Sequence, residues 1–478
     1  MGVDSSTQST KVEVRDADDG HLVARGRAPH PPAAPPRSEQ APVDWWDALV
    51  LAAGATGVRD VAALSIAAQQ HGLVVLDRAG AVLRPAKLWN DTESAPEATA
   101  MVRQYGAERW AKACGSVPVA SFTITKLAWL ARHEPEVFAR VGQVLLPHDY
   151  LTFRLTGRFV TDRGDASGTG YWSPADGVWR TELLDRVVGA PGGKDWASVL
   201  PTVLGPQEPS DWATASVHEF LGLRGRPLCG PGTGDNMAAA LGIGLRPGDI
   251  AISLGTSGTV STVSDRPTAD ATGAVAGFAD AGGRFLPLVC TLNATRVTDA
   301  IGTLLGVGRD EMDELALAAP AGAGGVTVLP YFDGERTPNR PDASGVVSGL
   351  RSTATREQLA RAAFEGVVCS VLDGVDALRA TGVAPRDDGR IVLVGGGARS
   401  RAYQRVLADL VQRAVTVPVG DEHAAAGACV QAAATLHGVP PDEVAAAWQL
   451  GEGVTIEPCD DVDVDAVRGR YAELRAGA

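Results

Sequence analysis

Six cysteines in 478 residues, none of them spaced C-x-x-C, leave this chain without a zinc motif or a disulfide framework. Cys114, Cys229, Cys290, Cys369, Cys429 and Cys459 are expected to be buried thiols in a reducing compartment. No apolar run reaches 18 residues, and the N-terminus lacks the charged-then-apolar pattern of a secretory signal. A cytoplasmic protein with no membrane partner is the expectation. Met1, Gly2 and Ser6 formally satisfy the myristoylation pattern, but Gly2 and Val3 read better as strand residues feeding a turn. Lys and Arg are nowhere clustered and the formal net charge is -14, which argues against nucleic acid as a partner.

Several catalytic signatures are also missing. The Gly193–Lys194 pair is followed by Asp195 where a Walker A loop needs Ser or Thr, so P-loop chemistry is excluded. There is no H-R-D set of the protein kinases and no G-x-S-x-G elbow. Asp460, Asp461, Asp463 and Asp465 imitate a calcium loop, but Ala466 and Ala472 stand where Gly and Glu are required. A solvated acidic surface is the simpler reading.

What is present is a globular composition, 45% apolar and 21% charged, in a chain longer than one core can use. Two large α/β domains around a cleft are expected, divided into 1–244 and 245–478. The most informative stretch is 231–263. Gly232, Thr233 and Gly234 make a tight turn, and Asp235 and Asn236 stand at the expected N-cap of a helix. Residues 250–254 and 259–263 then read as strands joined by the hydroxyl-bearing turn Gly255, Thr256, Ser257, Gly258. A candidate base and a candidate phosphate cradle thus lie within about thirty residues.

The N-terminus repeats that logic. A short strand at Gly2 and Val3 leads through Asp4, Ser5, Ser6, Thr7, Gln8, Ser9 and Thr10 into a strand at 11–14, with a third strand at 21–25. Two similar hairpins hint at internal duplication. The proline-rich segment 29–42 reads as a surface connection and 43–53 as a helix with Trp45 and Trp46 in the core. An apolar strand at 61–66 ends in Gln69, Gln70 and His71, polar groups at the strand end where open α/β sheets bind ligands. His148 and Asp149 look like helix-cap chemistry. Residues 326–330 read as a strand, 331–338 as a loop and 355–378 as a long helix; the strand at 391–394 runs through Gly395, Gly396 and Gly397 into a helix at 401–414. That last unit is either a nucleotide loop or a tight turn. Two aspartate turns, two hydroxyl-rich hairpins and a triple glycine are the parts phosphoryl transfer needs.

In order along the chain, D-S-S-T-Q-S-T-K from Asp4, A-Q-Q-H-G from Ala68, L-W-N-D from Leu88, G-T-G-D-N from Gly232, S-L-G-T-S-G from Ser253, G-E-R-T-P from Gly334 and G-G-G-A-R-S from Gly395 resemble the FGGY carbohydrate kinases. The resemblance implies two ribonuclease-H-like domains of the actin-like, hexokinase superfamily. It also implies ATP and Mg²⁺ as cofactors, and a sugar acceptor that the motifs most resemble those for D-xylulose. In the family pattern Asp235 is the general base toward the sugar 5-hydroxyl, and Asp4 positions the metal. Thr7, Gln8 and Lys11 lie along the transferring phosphate, Gly255 and Thr256 on the other phosphates, and Gly396, Gly397 and Ser400 beside the nucleotide. Gln70, His71 and Asn236 touch the sugar. Another acceptor (ribulose, a polyol, gluconate or glycerol) and an inactive nucleotide-gated binding protein are the alternatives. A homodimer is compatible with the sequence.

Three departures from the family pattern stand out. Gln70 replaces a methionine where the sugar is expected, and Glu93 replaces an arginine after W-N-D-T, reversing a charge near the site. Only Met1, Gly2 and Val3 precede Asp4, so a weakened first strand is expected. Glu335 and Arg336 read as a structural loop ion pair.

Overall fold

The computed structural model describes residues 1–189, 194–383, 386 and 388–477. Gly193 of the Gly-Lys pair lies outside the described residues. The chain divides into two compact units. The first comprises Met1–Gly244, Asp265–Leu286 and Glu422–Leu450; the second comprises Leu245–Ser264, Pro287–Asp421 and Gly451–Ala478.

In the first unit, Gly2–Ser5, Ser9–Arg15 and Leu22–Pro29 form an antiparallel meander. Gly2–Ser5 also pairs in parallel with Ala63–Ala68, so it is a central strand in spite of its shortness, and all four of its residues are buried. The weakened edge expected from the brief N-terminus is therefore not seen. Ala63–Ala68 is buried along its whole length, as suits a strand covered on both faces, and its one polar side chain, Ser65, donates to Gln431 Oε1 at 2.6 Å. Thr233–Gly234 and Leu228–Cys229 pair with it in parallel on its other side.

Helix Pro42–Ala55 starts with proline in its first turn, where no N-H is needed, and buries Trp45 and Trp46. Trp45 Nε1 donates to Gln40 Oε1 at 2.8 Å, which satisfies the one polar atom of a fully buried ring. The proline-rich segment before it is irregular except for Glu39–Gln40, which pairs with Ala86–Lys87 and is more than a surface link. Helix Asp235–Gly242 lies against helix His423–His437, whose run of small side chains permits close approach.

In the second unit the same arrangement recurs. Ile250–Leu254 and Gly258–Thr262 form a hairpin, Gly258–Thr262 pairs with Phe285–Thr291, and Ile250–Leu254 pairs in parallel with Ile391–Val394. Val415–Pro418 and Gly453–Ile456 extend the sheet. Helix Arg356–Ala380 covers it, opened by a capping box in which Thr355 and Gln358 satisfy each other's backbone N-H. The helix expected over 401–414 ends at Val411, because Gln412 turns left-handed at φ 52°. The four acidic residues from Asp460 to Asp465 are all exposed.

Candidate active site

The N-cap expected at Asp235 and Asn236 belongs to Gly234. Strand pairing with Ala68 holds Gly234 extended, so the helix begins one residue earlier than the side chains suggest, with Asp235 as its first residue. Asp235 Oδ1 accepts the Asn236 backbone N-H at 2.8 Å and the Asn236 Nδ2 at 3.0 Å. Asn236 Nδ2 also donates to Gln70 Oε1 at 2.8 Å, leaving the buried Gln70 Nε2 without a protein acceptor. Gln70, Asn236 and Asp235 are thereby one polar chain, with a spare donor at one end and a carboxylate at the other. Burial, and then the charge of Asp4, push the Asp235 carboxyl up to about 7, where a base is half ionised at neutral pH.

His71 follows Gln70 in a left-handed conformation, φ 65°, which is costly for a side chain with a Cβ. Its Nδ1 lies 2.8 Å from the Gly168 carbonyl, and its ring packs 5.0 Å from Phe122 and 5.7 Å from Phe278. These contacts hold a strained backbone at the strand end.

Asp4 sits opposite Lys11 across the first hairpin, in a register that pairs Ser5 with Thr10 and leaves residues 6–9 to turn the chain. Ser6 Oγ donates to Asp4 Oδ1 at 2.7 Å, and Lys11 Nζ lies 3.4 Å from Asp4 Oδ2 and 2.6 Å from Glu422 Oε2. Burial raises the Asp4 carboxyl above its ordinary value against the pull of Lys11 and Ser6; burial also disfavours the Lys11 charge, but Asp4 and Glu422 outweigh it and raise its pKa. A cavity of about 580 Å³ opens over this turn, lined by Thr7, Gln8, Lys11, His30, Trp89 and Asn90 among others. Thr7 Oγ1 accepts from Trp89 Nε1 at 2.9 Å and donates to Gln69 Oε1 at 3.2 Å, while Gln8 is exposed. Glu422 and His30 went unnoticed in the sequence, since neither falls in a motif and only the fold brings them to Lys11 and Thr10.

Glu93 does not leave a stray negative charge. It meets the buried Lys87 Nζ at 2.5 Å, which also lies 3.0 Å from Asp91, 3.4 Å from Glu39 and 4.0 Å from the centre of the Trp129 ring. Glu39, Asp91 and Glu93 lie close enough to share an ion, but the Lys87 ammonium already bridges them.

In the second unit, Gly255, Thr256, Gly396, Gly397 and Ser400 line one cavity of about 670 Å³. Thr295, Asp299, Arg309, Asp313, Arg399 and Tyr403 complete much of its wall. Ser400 caps helix Arg401–Val411 by accepting the Tyr403 N-H at 3.1 Å, and its hydroxyl donates to Asp313 Oδ1 at 2.6 Å. Glu335 meets Arg336 through the backbone, its Oε1 accepting the Arg336 N-H at 2.7 Å, and not as the side-chain ion pair expected. It is buried, accepting the N-H of Leu292 at 2.6 Å and Asn293 Nδ2 at 3.0 Å, and so braces the segment that leads to Thr295.

The model of the N-terminal domain of the FGGY family of carbohydrate kinases matches residues 1–242, and that of the C-terminal domain matches residues 250–436. The chain belongs to the FGGY family of carbohydrate kinases. This FGGY chain is 47% identical to the xylulose kinase of Streptomyces rubiginosus over 98% of its own length and 95% of that protein. It is 45% identical to the xylulose kinase of Streptomyces coelicolor with the same coverage. Among solved structures, the xylulose kinase from Bifidobacterium adolescentis superposes with a TM-score of 0.88 at 43% identity, covering 99% of this chain and 98% of that one. The fold of this FGGY protein is the two-domain α/β fold of the actin-like, hexokinase class, and family membership makes it an ATP-using kinase. No helix among the described residues is long and apolar enough to cross a membrane.

Proposed function

We propose that this kinase transfers the γ-phosphoryl group of ATP to the 5-hydroxyl of D-xylulose. The reading rests chiefly on near-complete alignment at 47% identity with a xylulose kinase, together with an Asp235 carboxyl poised near neutrality beside a free amide donor. The domain 1–244 holds the acceptor and the base; the domain 245–478 holds the nucleotide.

Asp235 takes the hydroxyl proton as the sugar oxygen bonds to phosphorus and ADP leaves. Gln70 Nε2 and Asn236 orient the sugar hydroxyls, and His71 walls the pocket. Gly255 and Thr256 offer N-H and O-H groups to the phosphates, and Gly396, Gly397 and Ser400 border the nucleoside. Lys11 and Thr7 face the transferring phosphate.

The first turn also suits Mg²⁺, which keeps most of its waters and needs only one or two carboxylates beside the phosphates. Asp4 is such a carboxylate, 3% exposed, with one oxygen fixed by Ser6. Mg²⁺ when bound neutralises charge on the transferring phosphate. A cytoplasmic setting, where ATP is available, accompanies this reading.

An ADP-release assay over D-xylulose, D-ribulose, xylitol, glycerol and gluconate tests the acceptor. D-xylulose is expected to give the highest kcat/KM, by roughly the 10-fold or more that one well-matched polar contact supplies. A higher value for any other acceptor replaces D-xylulose in the proposal.

A further inference from the structure

His148, in helix Pro147–Thr156, and three carboxylates around it are buried in the first unit, yet none of them belongs to the polar chain that ends at Asp235. His148 Nε2 lies 3.0 Å from Asp149 Oδ1, 3.5 Å from Asp162 Oδ1 and 3.5 Å from Asp165 Oδ2. Burying four ionisable groups together is expensive, and a chain that only needed a core here would use apolar side chains. Burial opposes a charged imidazole, but Asp149, Asp162 and Asp165 prevail and hold His148 up to about 9. Burial likewise raises Asp149, to about 6, and Asp165, against the pull of His148.

The cluster has two mechanical connections. Asp162 caps the short helix Arg163–Ser167, its Oδ2 accepting the Gly164 N-H and its Oδ1 the Asp165 N-H, each at 2.9 Å. The same Asp162 Oδ2 accepts the Thr233 hydroxyl at 2.6 Å, two residues before Asp235. His148 presses on that turn as well: a side chain at Gly232 would bring its Cβ within 2.4 Å of His148 Nδ1, and Gly232 has φ +79°. At the other end of the short helix, the Gly168 carbonyl lies 2.8 Å from His71 Nδ1. Gly168 too has no room for a Cβ, which would fall 2.4 Å from the His71 ring. One five-residue helix is thus tied to the Asp235 turn at its start and to His71 at its end.

We infer that His148, Asp162 and Thr233 are positioning residues that, through helix Arg163–Ser167, set the place of the Asp235 carboxylate relative to the acceptor pocket at His71. The inference rests on the proposed roles of Asp235 and His71 as base and sugar contact. Thr233→Val removes the hydroxyl that reaches Asp162 and keeps the branched shape. A misplacement of about 1 Å can cost roughly 100-fold in rate, so kcat for sugar phosphorylation is expected to fall by that order while KM for ATP stays within about twofold. Thr233→Ser restores the hydroxyl and is expected to recover most of kcat. His148→Phe, which fills the space without the charge, is expected to lower kcat in the same direction.

A Thr233→Val enzyme with parental kcat, or a Thr233→Ser enzyme no better than Thr233→Val, overturns the inference. Crystal structures of the parent and Thr233→Val proteins read it without any substrate: Asp235 and residues 163–168 are expected to shift together, and unchanged positions overturn it. Failure of the parent to phosphorylate any sugar counts against the proposed function alone, and the pair of crystal structures then decides the positioning role.

Discussion

The turn after Gly2–Ser5 and the turn after Ile250–Leu254 occupy equivalent places in their sheets, each joining a hairpin whose first strand also pairs in parallel with a later strand. Their chemistry differs. The first is flanked by Asp4 and Lys11, a buried carboxylate and an ammonium that Asp4 and Glu422 hold in place. The second carries no charge within residues 254–258, and its backbone is knit into the loop that follows: Thr295 N-H donates to the Gly255 carbonyl at 3.0 Å and Ala294 N-H to that of Thr256 at 3.1 Å. In the proposed mechanism one hairpin scaffold serves two tasks. Fixed charge suits the place where charge is transferred, and neutral donors suit phosphates that need only be held.

The sharpest way to break this contrast is to remove the charged group of the first unit that we propose as base. Asp235→Ala is expected to lower kcat by about 10² to 10⁴, the usual worth of general-base catalysis, with the far-UV circular dichroism of the parent. Parental turnover would take Asp235 out of the mechanism and leave Asp4 and Lys11 as the charged groups of the first unit's site.

A smaller effect should appear in pH dependence. With Asp235 held near 7, kcat/KM for the sugar is expected to rise tenfold per unit below that value and level off above it. The sign for stability is opposite. The folded state binds this proton more tightly than the unfolded chain, so stability falls as pH rises from about 4 to about 7. Asp235→Asn should flatten that part of the curve, measured as urea midpoint against pH.

The smallest expected effect lies in the second unit. Thr256→Val deletes one neutral donor, worth about 1 kcal/mol, and should raise KM for ATP roughly fivefold with little change in kcat. A loss in kcat as large as that of Asp235→Ala would mean that the second turn shares the chemistry, and the contrast would fail.

Much of this was legible in the chain itself. The hydroxyl-rich turns, the strand 391–394 with its glycines, the helix after Thr355 and the core tryptophans were all readable. Each depends on neighbours within a few residues: turn chemistry, alternation and capping are local. The family motifs single out Asp4, Asp235 and the residues proposed to border the nucleotide, in order along the chain. The reading of His148 and Asp149 as cap chemistry was half of what is there, since Asp149 Oδ2 does accept the Leu146 N-H at 2.7 Å.

What sequence alone determined, then, is the class of machine and the turns and strand ends that carry its candidate reacting groups, because short-range stereochemistry forces those residues there. Tertiary structure alone decided their electrostatic state and their supports. Lys11 meets Glu422 more than four hundred positions away, Lys87 answers the reversed charge of Glu93, and Glu335 braces the backbone N-H groups of Leu292 and Arg336 where an ion pair was expected. The burial that lifts Asp235 toward neutrality, and the His148 cluster tied to its turn, likewise come from segments brought together only by folding. A charge's energy depends on every group within a few ångströms and on the water excluded around it, and neither is written in the spacing of a motif.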